Sequence, residues 1–161
     1  MDIASVYTLT PGDGGASVVF NNGSLQGTTD LFWLTDIKGL DSASLRTPWF
    51  KRPQAHGGYK TVPWLENPLQ PRFEGAFLVL SKPLGAQCRE ERNTMYHALK
   101  TCLRGCLGDT PGTLSWSEPG IDDFELDVSY EVELRHGYDA GFTVMTFTFG
   151  LFSEASQPVA A

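Results

Sequence analysis

The clearest pattern in the chain runs over residues 124–135. Phe124, Leu126, Val128, Tyr130, Val132 and Leu134 alternate with Glu125, Asp127, Ser129, Glu131, Glu133 and Arg135. Successive side chains of a strand point to opposite faces, so this alternation predicts a long strand with one buried face, reaching about 40 Å. The period changes over residues 86–107. Cys88, Met95, Leu99, Cys102 and Cys106, widened by Leu103 and Leu107, share one helical face. Arg89, Asn93, His97, Lys100 and Arg104 share the other. An apolar stripe opposite a polar one at 3.6-residue period predicts an amphipathic helix of about 33 Å. Gly105 or Gly108 is placed to end it as a left-handed cap. Shorter apolar runs predict strands over residues 16–20, 31–37, 73–80, 113–116 and 142–152. In the last of these the apolar positions change register between Val144 and Met145, the signature of a β-bulge. Asn21-Asn22-Gly23 has the chemistry of a tight hairpin turn, because Asn and Gly tolerate positive φ.

Residues 46–72 follow neither period. They hold Pro48, Pro53, Pro63, Pro68 and Pro71, the pair Gly57-Gly58, and the aromatics Trp49, Phe50, Tyr59 and Trp64. Prolines at this density exclude a helix or a central strand, and a loop of this length in a compact domain is usually functional. The segment reads as an extended arm. It carries Arg46, Lys51, Arg52, Lys60 and Arg72 against Glu66 alone, a balance of +4 in a chain of net charge -7. Over the whole chain the charge is divided as well. Residues 1–104 hold 11 basic and 9 acidic side chains, a balance of +2; residues 105–161 hold 1 and 10, a balance of -9. Opposite biases in two regions suit a subunit with two working surfaces. The arm is expected to pack on a neighbouring subunit, with Trp49, Tyr59 and Trp64 as aromatic contacts and Arg52 as a charge contact.

Composition narrows the class. A chain of 161 residues predicts one domain, and 41% apolar with 19% charged residues excludes a charge-rich disordered chain. No run approaches about 18 apolar residues, so no membrane-spanning helix is expected. The start Met1-Asp2-Ile3-Ala4-Ser5 has neither basic residues nor an apolar block, so a secretory signal is not expected. The acidic balance argues against specific nucleic-acid binding, which needs a basic face to neutralise phosphates. Three cysteines, Cys88, Cys102 and Cys106, make an odd count that fits synthesis in a reducing cytoplasm better than a disulfide framework.

No motif completes a catalytic or metal site. His56, His97 and His136 lack a nucleophile context, and Cys102 and Cys106 share a helical face but find no further ligands, so they read as small buried hydrophobes. Gly12-Asp13-Gly14-Gly15 lacks the Gly-Lys-Ser/Thr ending of a phosphate loop and reads as a turn. Asn22-Gly23-Ser24 matches a glycosylation acceptor, but the turn reading outweighs it. Asp122, Asp123 and the acids of the long strand repeat along a face, whereas acid–base chemistry needs one carboxyl set apart in an apolar setting. No enzymatic activity, metal or cofactor is expected.

The run Ile37-Lys38-Gly39-Leu40-Asp41, then Arg46, then His56-Gly57-Gly58, resembles the start of the distal tail proteins of long-tailed bacteriophages. A strand, one amphipathic helix, a turn-strand at Gly112-Thr113-Leu114 and two long strands follow in a similar order, so the resemblance extends over about residues 18–152. It implies a mainly β, α+β fold: an antiparallel β-sandwich flanked by an α-helix, with the Pro-rich arm reaching a neighbour. A single ring domain over residues 1–152 (arm about 46–72, helix about 86–107) would be followed by a flexible tail, 153–161. The implied function is structural: a homo-oligomeric, hexameric ring at the virion tail tip, joining tail tube protein to baseplate hub and surrounding the DNA passage. The acidic stripe Glu125, Asp127, Glu131 and Glu133 would then face the lumen, where like charge keeps passing DNA from sticking. A tail tube protein of the same fold, or a carbohydrate-binding β-sandwich using Trp49, Tyr59 and Trp64, are the alternatives.

Overall fold

The structure is a computed structural model and describes residues 5–40, 45–46, 49–51, 58–60, 65–66, 68–83, 85–107, 109–117, 120, 122–138, 144–155 and 158–160. In chain order the strands are β1 (Tyr7–Thr10), β2 (Val18–Phe20), β3 (Leu31–Lys38), β4 (Leu45–Arg46), β5 (Trp49–Lys51), β6 (Gly58–Lys60), β7 (Leu65–Glu66) and β8 (Arg72–Leu78). The helix α1 (Ala86–Arg104) follows, then β9 (Gly112–Ser117), β10 (Asp123–Tyr138), β11 (Met145–Phe152) and β12 (Val159–Ala160).

Seven strands pair in the order β11-β8-β3-β2-β1-β9-β10, and β10 pairs back onto β11. The sheet therefore closes into a barrel, and the expected antiparallel sandwich is not formed. The sheet is also mixed, because β2 and β3 run parallel at Phe20 and Phe32 while the other strand pairs are antiparallel. Alternation along a strand reports one buried face, and a sandwich and a barrel bury that face alike. The closure comes from the length of β10. Residues 123–128 pair with β9, and residues 129–138 pair with β11.

Two register shifts in β10, between Tyr130 and Val132 and between Val132 and Arg135, bend it round the barrel. The bulge expected in the last strand thus lies in its partner. In β11 the inward series Met145, Phe147, Phe149 and Leu151 is unbroken, while Val132 loses its buried position and is 37% exposed. The start of the expected strand at residues 142–143 lies outside the described residues.

Tyr7, Leu9, Phe20, Leu34, Phe73, Phe77, Leu114, Leu126, Phe147 and Leu151 fill the interior. Phe73 stacks on Phe149 with centroids 4.9 Å apart, and Phe77 meets Phe147 at 4.8 Å. Met95, Leu99, Cys102 and Leu103 of α1 belong to the same core. The helix meets β2, β8 and β10, which are not adjacent round the barrel, so it lies across one mouth and closes it. Arg92, outside the predicted apolar stripe, is also buried. The helix ends at Gly105, but with φ of -69°, so Gly105 is not a left-handed cap; Gly108 lies outside the described residues. Instead Cys106 N–H donates to Leu103 O and Leu107 N–H to Arg104 O, tightening the last turn and leaving Leu107 exposed.

Candidate functional site

The arm leaves the barrel after β3 and returns at β8. Leu45 and Arg46 pair with Glu66 and Leu65, and Trp49, Phe50 and Lys51 pair with Lys60, Tyr59 and Gly58. Both ladders are antiparallel and nested, so the arm is a hairpin. In the sequence Pro48, Pro53 and Pro63 fall between the paired residues. Trp49 and Tyr59 stand on its inner ladder, one on each strand. Arg52 and Trp64 lie outside the described residues.

The root of the arm is tied to the end of β11. Leu69 bridges Ser153, Ser153 N–H donates to Leu69 O, and Leu69 N–H donates to Ala155 O. Arg72, at the first position of β8, then crosses β11. Its Nη1 donates to Leu151 O at 3.1 Å and its Nη2 meets Glu131 Oε2 on β10 at 3.3 Å. The guanidinium passes over Gly150, where an added Cβ would stand 2.7 Å from Arg72 Nη1 and 2.8 Å from Val132 Cβ. A glycine at this one position makes the notch through which a basic side chain joins β8 to β10.

The four carboxylates predicted to form an acidic stripe are all exposed. Their environments differ. Glu131 is held by Arg72. Glu125 lines a shallow depression with Thr8, Ser115 and Ser117 on the outer face of β1, β9 and β10. Asp127 lines a separate groove of about 390 Å³ between β10 and the segment leading from β11 to β12. Phe152, Ala155 and Val159 supply its apolar surface, and Asp127 and Glu154 are both in its lining. The segment is held at both ends, by the Leu69–Ser153 bridge and by β12, which pairs with β10 at Phe124 and Glu125.

A second groove of about 290 Å³ runs between α1 and residues 11–18, with His97 and Cys102 in its lining. The chain there is packed backbone to backbone. Gly12 N–H donates to Gly105 O at 3.1 Å, and a Cβ on Gly12 would fall 2.3 Å from Pro111 O. The Gly12-Asp13-Gly14-Gly15 turn is closed by Gly15 N–H donating to Asp13 Oδ1. Cys102 Sγ donates to Leu9 O, and burial, with Cys106 beside it, pushes the Cys102 thiol up to about 12. Burial raises Cys106 as well. All three cysteines are free and buried, and the raised thiols of Cys102 and Cys106 are poor nucleophiles and poor metal ligands.

The crossing of Arg72 over Gly150 to Glu131 is not legible in the sequence. The signal available was slight: a glycine breaking the alternation of β11 opposite the long acidic strand.

No family model matches the sequence, and no curated protein matches it. Solved structures do. Six chains match by fold. One is the Dit (gp 19.1) protein of SPP1, described as a paradigm of the hub adsorption apparatus in phages that infect Gram-positive bacteria. The TM-score is 0.60 at 12% identity; the similarity covers 96% of this chain and 52% of that one. The fold is thus shared with a protein of a phage hub adsorption apparatus, and this chain spans about half of that protein's length.

Proposed function

We propose that this chain is a non-enzymatic structural subunit of a bacteriophage tail, similar in role to a distal tail protein. The fold shared over 96% of the chain with a hub adsorption protein carries this reading. In it, residues 1–152 form the ring domain and residues 153–161 its tail. Copies assemble into a hexameric ring at the virion tail tip, between tail tube protein and baseplate hub, round the DNA passage. The hairpin arm packs on the adjacent copy, with Trp49, Arg52, Tyr59 and Trp64 in the contact. The acidic stripe Glu125, Asp127, Glu131 and Glu133 faces the passage, where carboxylates repel phosphates.

The test is the state of the purified protein at high concentration, by native mass spectrometry and negative-stain imaging. Rings of six are expected. Deleting residues 54–62 should leave a folded barrel by circular dichroism that no longer forms rings. A chain that stays monomeric both alone and in isolated tails would overturn the reading.

A further inference from the structure

The pair Asn22-Gly23 has no part in the barrel ladders, and its chemistry is reactive. β2 ends at Phe20 and β3 begins at Leu31, so no ladder fixes either residue. Both are exposed. Among the described residues, neither the Asn22 side chain nor the Gly23 N–H has a hydrogen-bond partner. The bonds of this loop begin at Ser24, whose Oγ accepts from Gln26 N–H and whose carbonyl accepts from Gly27 N–H. Gly23 offers no side chain to hinder attack on its neighbour, and the fold demands glycine there. Its φ is 154°, and a Cβ would stand 2.8 Å from Leu31 Cδ2.

The other asparagines are protected. Asn21 is buried, and both ends of its amide are held, by Leu34 N–H and by Ser5 O. Asn93 lies within α1, where the N–H of the next residue is bound into the helix. Asn67 precedes Pro68, which has no N–H to give.

We infer that Asn22 is a site of spontaneous deamidation in the folded protein, with water as the co-reactant. The Gly23 nitrogen loses its proton to base and attacks Asn22 Cγ. The bond from Cγ to the side-chain nitrogen breaks and ammonia leaves, giving a five-membered cyclic imide. Water then hydrolyses the imide. Opening at one carbonyl gives aspartate; opening at the other gives isoaspartate, in which the chain runs through Cβ and Cγ and gains a methylene. Either product adds one negative charge. Only isoaspartate lengthens the backbone beside Asn21, whose N–H and Oδ1 bond to Phe32 and Leu34 of β3. Isoaspartate at this position should therefore loosen the seam between β2 and β3 as the protein ages.

The test is peptide mapping of the purified protein after incubation in heavy-oxygen water, with isoaspartate identified by its specific methyltransferase. Labelled acid is expected at Asn22 ahead of Asn21 and Asn93, at a rate that rises in proportion to hydroxide. The rate in the folded chain should lie within about threefold of that in urea, as for a loop whose local opening costs almost nothing. A folded chain that keeps Asn22 intact while the unfolded chain loses it, or label at Asn21 or Asn93 as fast as at Asn22, would overturn the site. The isoaspartate form, separated chromatographically, should unfold at lower urea than Asn22→Asp, which carries the same charge on a normal backbone. Equal midpoints for the two would overturn the effect on the seam.

Discussion

Asn21 occupies the barrel's weakest seam. The parallel pairing of β2 with β3 consists of Phe20 opposite Phe32 alone, and Asn21 follows directly. Its N–H donates to Phe32 O, its Oδ1 accepts from Leu34 N–H at 2.8 Å, and its Nδ2 donates to Ser5 O at 3.2 Å. One side chain thus supplies ladder-like bonds where the ladder is shortest. Its φ is 60°, a left-handed conformation in which Asn is favoured among residues with a Cβ. The Asn-Asn-Gly run suggested a two-residue hairpin for the same reason, and positive φ is indeed used there; the turn it serves joins parallel strands instead. Asn21→Ala is expected to cost about 2–4 kcal/mol in urea unfolding, since it leaves buried backbone groups unpaired and forces Ala into a left-handed site. Asn21→Gly should cost about 1 kcal/mol less, because it relieves the backbone term alone.

The buried thiols give a second expectation at this scale. Cys102 ionises near 9 in an unfolded chain and near 12 when folded, because burial disfavours the thiolate. Below pH 9 both states hold the proton and the stability is whole. Above it the unfolded state releases the proton first, so stability falls by about 1.4 kcal/mol per pH unit between pH 9 and 12. A Cys102→Val variant should show a shallower alkaline loss in the same unfolding series.

At the scale of elements, β10 organises the fold. Its sixteen residues are shared between β9 and β11, and its bulges bring Val132 opposite Gly150. Arg72 crosses at that glycine. The ion pair it reaches is more than a third exposed on both sides, so Glu131→Gln should cost less than about 1 kcal/mol. Gly150→Ala is the severe change, expected at about 1–3 kcal/mol, because the new methyl meets both Arg72 and Val132. Combining it with Arg72→Ala should cost less than the two separately, a coupling that a double-mutant cycle would measure. The helix works at the same scale as a plug for one mouth of the barrel, and its packing depends on Leu99 and Leu103, both fully buried. Leu99→Ala is expected to cost about 2–5 kcal/mol and to loosen the helix before the barrel, which hydrogen exchange would resolve.

For the whole molecule, barrel closure depends on distant partners. Tyr7 pairs with Trp116 and Phe73 with Phe149, so refolding should take milliseconds to seconds, slow for a chain of this size. The proposed assembly through a basic arm should weaken as ionic strength rises, because exposed charges are screened over about 10 Å at 0.1 M salt. What could be read from residue order alone was whatever repeats locally. The period of two made β10 legible, and the period of 3.6 made α1 legible, because each depends on neighbours within a few positions. β1 escaped notice, although Tyr7 and Leu9 alternate with Thr8 and Thr10, because four residues make too short a period to stand out. The hairpin character of the arm was hidden by prolines that turn out to sit between its paired residues. Whether the sheet closed, which strands ran parallel, and where Arg72 would find Gly150 and Glu131 were decided only in three dimensions. Arg72 and Glu131 lie 59 positions apart, Tyr7 and Trp116 lie 109 apart, and even the parallel pair Phe20 and Phe32 lies 12 apart, beyond the few positions that a local period spans.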